Sequence, residues 1–175
     1  MKRLILMRHA KTEAWYEGTD DHGRALIERG IRDAAIMGEH LVSLGWRPNE
    51  AVVSTARRAR ETWRYVSPSL GDIAPAFVDD LYLAGPHTIE GVISTSNLSG
   101  TVLLIGHNPG IHDFACSLAR TGGASDDFTL ARLYEKFPTG CIALFDAGEE
   151  VAFHPAAFSL VDVIRPKDLS DEPDP

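Results

Sequence analysis

Leu4-Ile5-Leu6-Met7-Arg8-His9-Ala10 is the stretch on which the fold turns. Four consecutive apolar residues without polar alternation read as a short strand covered on both faces, as in a parallel sheet. A basic pair then stands where that strand ends. The arrangement recurs at Val102-Leu103-Leu104-Ile105, which leads into Gly106-His107-Asn108-Pro109-Gly110. A third version has Ala51-Val52-Val53 running into Ser54-Thr55-Ala56-Arg57-Arg58-Ala59-Arg60-Glu61-Thr62. Three apolar strands thus end in residues that carry chemistry.

The intervening segments supply the helices. Ile27, Ile31, Ala34, Ala35, Gly38, Leu41 and Val42 recur at helical spacing, with Gly45 as the stop and no Ser, Thr or Asp cap near Ile27. Ser54 or Thr55 is placed to cap a second helix running to Tyr65 or Val66, before Ser67-Pro68. A weak helix is predicted over 87–96. Another opens at Asn108-Pro109 with Pro in its first turn, carries the stripe Ile111, Phe114, Ala115 and Leu118, and ends at Gly122-Gly123. Ala76-Phe77-Val78 reads as a short strand, 124–139 as polar loop and Cys141–Phe145 as a strand. Segments 151–153 and 158–161 read as antiparallel edge strands. Strands alternating with helices imply a three-layer α/β/α sandwich with a central, mostly parallel sheet. One domain over residues 1–167 is expected, followed by an acidic, proline-containing tail over 168–175 expected to be disordered.

Bulk properties narrow the function. At 175 residues with a formal net charge of −8, the chain lacks the overall basic character of a sequence-independent nucleic-acid binder. A local cationic cluster can still hold a small anion. No apolar run approaches membrane-spanning length, and no signal-peptide pattern is read at the start, so the cytoplasm is the expected location. Cys116 and Cys141 stand far apart in apolar patterns and are expected as reduced core thiols.

In open α/β sheets ligands bind beyond the carboxyl ends of the strands. Arg8, His9, Ser54, Arg58 and His107 all fall at or just past such ends. Two guanidiniums and two imidazoles on one rim form an anion site, and a dianionic phosphoryl group suits it better than a carboxylate. A neutral imidazole there can also act as a nucleophile and form a covalent phosphoenzyme, with no metal and no cofactor required. A zinc site is the other use of two histidines, but no third ligand has suitable spacing and arginines beside a metal are unfavourable. His22, His40, His87, His112 and His154 are expected as surface or packing residues, and Arg57 as the i+4 partner of Glu61.

Taken together, Arg8-His9-Ala10-Lys11-Thr12, Asp21 through Gly30, Ser54 through Thr62, Asp80-Leu81-Tyr82 and Gly106-His107-Asn108-Pro109 resemble the histidine phosphatase superfamily, with its phosphoglycerate-mutase-like fold. Within it the chain most resembles the short SixA-type phosphohistidine phosphatases. The resemblance implies His9 as the nucleophile and Arg8, Arg58 and His107 as the phosphate pocket. Arg58 holds the arginine position of the family's Arg-Ala-x-x-Thr element. Arg24 matches an arginine in the branch's Asp-x-x-Arg-Pro-Leu-Thr-x-x-Gly pattern, which here has Ala25 for Pro and Ile27 for Thr, and it is expected to reach the phosphate. Asp80 is the candidate acid, with Asp79 and Glu13 behind it. The implied substrate is a phosphohistidine-bearing protein. The alternatives are a small phosphomonoester, or a non-catalytic module that binds a phosphate or a phosphoprotein.

Overall fold

The computed structural model describes residues 1–124 and 126–169. Six strands form one sheet: β1 (Arg3–Arg8), β2 (Glu50–Ser54), β3 (Pro75–Val78), β4 (Thr101–Gly106), β5 (Ile142–Asp146) and β6 (Ser159–Ile164). Their order across the sheet is β3-β2-β4-β1-β5-β6. β1 to β4 run parallel, whereas β5 is antiparallel to β1 and β6 antiparallel to β5. The register sets Arg8 opposite Gly106, and both Met7 and Val53 opposite Ile105. The carboxyl ends of β2, β4 and β1 therefore share one rim.

Five helices cover the sheet: α1 (Glu28–Ser43), α2 (Arg57–Leu70), α3 (Pro86–Thr95), α4 (Gly110–Gly122) and α5 (Asp127–Glu135). The unbroken apolar run of β1 is explained by its two neighbours in depth. Leu4 and Leu6 face the layer of α3, α4 and α5, among Ile89, Phe114, Leu118 and Leu133. Ile5 and Met7 face the layer of α1 and α2, among Met37, Leu41, Trp63 and Val66. All four β1 side chains are fully buried, each worth about 1.5–3 kcal/mol in removal from water.

Several boundaries differ from the sequence expectations. α2 continues to Leu70 with Pro68 inside it. Proline there removes one backbone bond near the helix end, while Val66 and Leu70 remain buried. Neither Ser54 nor Thr55 caps α2. The residue before the helix is Ala56, without a side-chain bond, because Ser54 is engaged elsewhere, as described below. Pro109 precedes α4 rather than lying in its first turn. The stretch 124–139, expected as loop, contains α5. Asp126 caps it by accepting from the Thr129 N–H at 2.7 Å, and only Thr129 and Leu133 are buried, so no apolar stripe announces it. Residues 151–153 form no strand. Asp168 and Leu169, assigned to the tail, lie in and just after a short 3-10 turn where Asp168 pairs with Arg132. The remainder of the expected tail falls outside the described residues. Gly45, with φ of +72°, does follow the end of α1.

Candidate active site

His9 is held by backbone bonds on both sides of β1. Its N–H donates to the Gly106 carbonyl at 3.0 Å, and the Arg8 N–H donates to the Cys141 carbonyl at 3.0 Å. The next residue ties the strand to α2. The Ala10 N–H donates to Thr62 Oγ1 at 2.9 Å, and that hydroxyl donates to the Arg58 carbonyl at 2.6 Å. The Thr62 and Arg58 positions are thus fixed together with the histidine.

The ring of His9 is 5% exposed, with Nδ1 2.8 Å from the Ala10 carbonyl oxygen. A carbonyl only accepts, so Nδ1 carries the proton and Nε2 keeps its lone pair. Burial pushes the His9 pKa down to about 3, helped by the neighbouring His107, Arg8 and Arg58 and opposed by the bond to Ala10. The imidazole is therefore neutral near pH 7.

His107 follows β4 and its ring centre lies 5.2 Å from that of His9. Its Nε2 is 2.8 Å from Ser54 Oγ, which in turn accepts a long bond from the Ala56 N–H at 3.4 Å. With the serine proton directed to Nε2, the His107 proton resides on Nδ1. That atom, Arg8 Nε and Arg58 Nε are buried and have no hydrogen-bond partner among the described residues. Burial, and after it the charge of Arg58, pushes the His107 pKa down to about 3. Burial likewise lowers the pKa of Arg8, with Arg58 adding to the effect. A cluster of buried donors that destabilise one another's charge is completed chemically by an anion.

Other side chains shape the cleft, whose volume is about 500 Å³. Arg8 donates through Nη1 to the Phe137 carbonyl at 3.0 Å, and Asn108 Nδ2 donates to the same oxygen at 2.8 Å. Arg58 is 2% exposed and bonds to the Asp21 carbonyl oxygen and, at 3.0 Å, to Asp21 Oδ2. The Tyr82 hydroxyl donates to the same Oδ2 at 2.8 Å. Burial opposes ionisation of Asp21, but Tyr82 and Arg58 together hold its carboxyl below the usual carboxylate range. Arg24 lines the cleft and donates to Thr12 Oγ1 at 2.9 Å, with Nε 3.6 Å from Asp21 Oδ1.

Arg8, His9, Arg24, Arg58 and His107 are all brought to one cleft; Asp80 is not. It sits exposed with Asp79 on a 3-10 turn, away from the cleft lining. Glu13 does line the cleft, with Oε1 accepting from the Ala25 N–H at 3.0 Å. Asp21 and Tyr82 were not singled out from sequence. The available signal was their place in the motifs, Asp21 opening the Asp-x-x-Arg pattern and Tyr82 closing Asp80-Leu81-Tyr82, although neither was given a role there. His112 packs as expected, stacked on Phe137 and bonded to the Leu133 carbonyl. Arg57 pairs with Glu61 at 2.7 Å. Cys116 and Cys141 are buried free thiols, Cys141 with its pKa pushed up to about 12 by burial. No helix of the described residues is long and apolar enough to cross a membrane.

This geometry has relatives. The profile of the histidine phosphatase superfamily (branch 1) matches residues 4–82. An uncharacterized protein of Mycobacterium tuberculosis (strain H37Rv) is 37% identical over 158 residues, covering 89% of this chain and 96% of the relative. A Mycobacterium leprae protein is 34% identical over 164 residues, covering 85% and 98%. Among solved structures, a candidate phosphohistidine phosphatase SixA from Agrobacterium tumefaciens superposes with a TM-score of 0.77 at 28% identity, over 94% of this chain and 97% of that one. The corresponding Nakamurella protein gives 0.77 at 26% identity, over 94% and 96%. The chain belongs to the histidine phosphatase superfamily, and that membership together with its SixA-like neighbours makes it a phosphatase. Within the superfamily it falls in the SixA-type branch.

Proposed function

We propose that the protein is a metal-independent phosphatase that removes the phosphoryl group from phosphohistidine in a protein, through a phosphorylated His9. The observation that carries this reading is the tautomer of His9, a buried neutral ring with Nδ1–H committed to Ala10 and Nε2 unprotonated beside Arg8, Arg58 and His107. Nε2 attacks phosphorus in line with the scissile P–N bond. That bond breaks, the departing imidazole takes a proton from solvent, and the phosphoryl group rests on His9. Arg8, Arg58 and the Nδ1–H of His107 stabilise charge on the equatorial oxygens, with Arg24 at the edge of the cleft. Water then attacks phosphorus, the P–Nε2 bond breaks, and inorganic phosphate leaves with the water's proton shared between product and solvent.

The carboxylates support an imidazole as leaving group. An alkoxide needs a strong proton donor. Asp21 is held ionised, Asp80 lies outside the cleft, and the Glu13 carboxyl is engaged with the Ala25 N–H. Imidazole departs with less acid assistance. The names of the Agrobacterium and Nakamurella relatives point the same way.

Intact-mass spectrometry after acid-free quenching with a phosphohistidine peptide tests the reading. Wild type is expected to gain one phosphoryl group transiently, and His9→Ala to gain none and to lose turnover. Faster turnover of sugar phosphates than of phosphohistidine would replace the substrate assignment. No adduct and no turnover in wild type would make the cleft a binding module.

A further inference from the structure

Beside the cleft lies a second, smaller pocket of about 180 Å³ bordered by Lys11, Arg29, Asp33, Lys136, Arg165 and Lys167. Five cations converge there on a chain whose formal net charge is −8. The charges within the pocket are only partly balanced. Asp33 faces Arg29 at 3.8 Å. Arg165 spends its guanidinium on Glu135 at 2.9 Å and on the carbonyl oxygens of Arg132 and Lys136. Lys136 is 4.0 Å from Glu135. Lys11 and Lys167 have no carboxylate within ion-pair distance among the described residues.

The pocket adjoins the cleft. Lys11 and Thr139 line both. Lys11 is two residues from His9, hence within about 7 Å of it along the chain. The segment 136–140 is the common wall. Its Phe137 carbonyl accepts from Arg8 on the cleft side, and its Gly140 N–H donates to His9 O at 3.0 Å, while Lys136 and Thr139 border the second pocket.

We propose that this pocket docks an acidic side chain of the phosphorylated protein, a few residues from its phosphohistidine. The inference rests on the reading of the His9 cleft as the site of phosphoryl transfer from a protein. Among the described residues Lys11 and Lys167 lack a carboxylate partner, and Lys136 reaches one only at 4.0 Å. Lysines are compact charges on flexible stems, whereas the buried guanidinium of Arg165 is already committed within the protein. Lysines accommodate a carboxylate arriving in variable geometry, and a fixed phosphate is better matched by a rigid Arg fork. The pocket is too small for more than a side chain, while the cleft beside it is wide and open. A local cationic patch also offsets the repulsion that a net-negative enzyme imposes on an acidic partner and raises its encounter rate.

The test uses two peptides carrying a non-hydrolysable phosphohistidine mimic, one flanked by Asp and Glu and one by Asn and Gln. Affinities are read by fluorescence anisotropy on the full chain. Wild type is expected to prefer the acidic peptide on the order of tenfold, the sum of a few exposed ion pairs. In the Lys136→Glu/Lys167→Glu variant the preference should fall to about one or invert, and in Lys136→Gln/Lys167→Gln it should be intermediate, with thermal midpoints reported for each. Equal affinities in wild type overturn the proposal, as does a preference that survives charge reversal. A preference that emerges only after removal of residues 170–175 would assign the pocket to the chain's own acidic end, and overturns it too. Because the readout is binding, it is separable from the phosphatase reading. Preference without turnover of a hydrolysable peptide removes the latter, and turnover without preference removes the docking pocket.

Discussion

His9 and His107 are both held at about 3 in the folded protein, against about 6.5 in an unfolded chain. Between those values the unfolded chain binds protons that the native one does not. The sign is fixed by that difference: stability is fully present above about pH 6.5 and falls as pH drops toward 3, by about 1.4 kcal/mol per pH unit for each histidine. Urea unfolding between pH 6.5 and 4.5 should show a dependence near two protons. His9→Asn should reduce it to near one, and a slope indifferent to that substitution would contradict the assigned burial. Asp21, with its lowered carboxyl pKa, adds a loss in the same direction at lower pH. The histidines and the Arg-His pair were legible from residues alone because each follows an apolar strand. Asp21 was not, since its role comes from a contact between residues 37 positions apart in sequence.

Helix placement turns on a few close approaches of backbone. Gly30, in the first turn of α1, faces the Lys11 carbonyl so closely that an added Cβ would sit 2.1 Å from that oxygen. Gly91, in α3, has nothing within 4 Å of the same position. Gly30→Ala should therefore destabilise by about 1–3 kcal/mol through overpacking, and weaken phosphate-analogue binding because Lys11 and the cleft wall shift with it. Gly91→Ala should stabilise by up to about 1 kcal/mol through helix propensity. Thermal midpoints ranked Gly91→Ala, wild type, Gly30→Ala would bear this out, and the reverse order would refute it. The absence of a side-chain cap at Ile27, legible from sequence, holds in the structure, and the chain entering α1 is instead anchored by tertiary bonds. The Ile27 N–H donates to the Lys11 carbonyl and the Leu26 N–H to Glu61 Oε2. α5 was illegible for the opposite reason. It buries two residues and exposes Phe128, so its periodicity carries no signal and its cap alone marks it.

At the scale of the molecule, the proposed anion site is assembled from residues 8–9, 58 and 107, which meet only when β1, β2 and β4 pair. An oxyanion that binds there binds the native state alone. Tungstate at one hundred times its dissociation constant should thus stabilise by about 2.7 kcal/mol. The rise in thermal midpoint should vanish in Arg58→Ala, compared with that variant's own ligand-free value, and a rise that persists would move the anion elsewhere. The parallel half of the sheet was readable because its strands are apolar throughout. The partners of β5 were not, since direction is a property of pairing rather than of any one strand. That change of direction has a consequence for how such proteins diversify. β1 meets β4 in parallel and β5 in antiparallel, so one flank of His9 receives strand ends and the other receives the connection entering β5. Ladder positions cannot slip by one residue without reversing every side chain, whereas a connection tolerates replacement. Even the hold on Arg8 from that side is a backbone carbonyl, which any residue carries. The proposed catalytic residues and the proposed docking pocket are therefore separately mutable. On the proposed reading, a lineage could exchange one substrate for another by drift at positions 136 and 139 while Arg8, His9, Arg58 and His107 stay as they are.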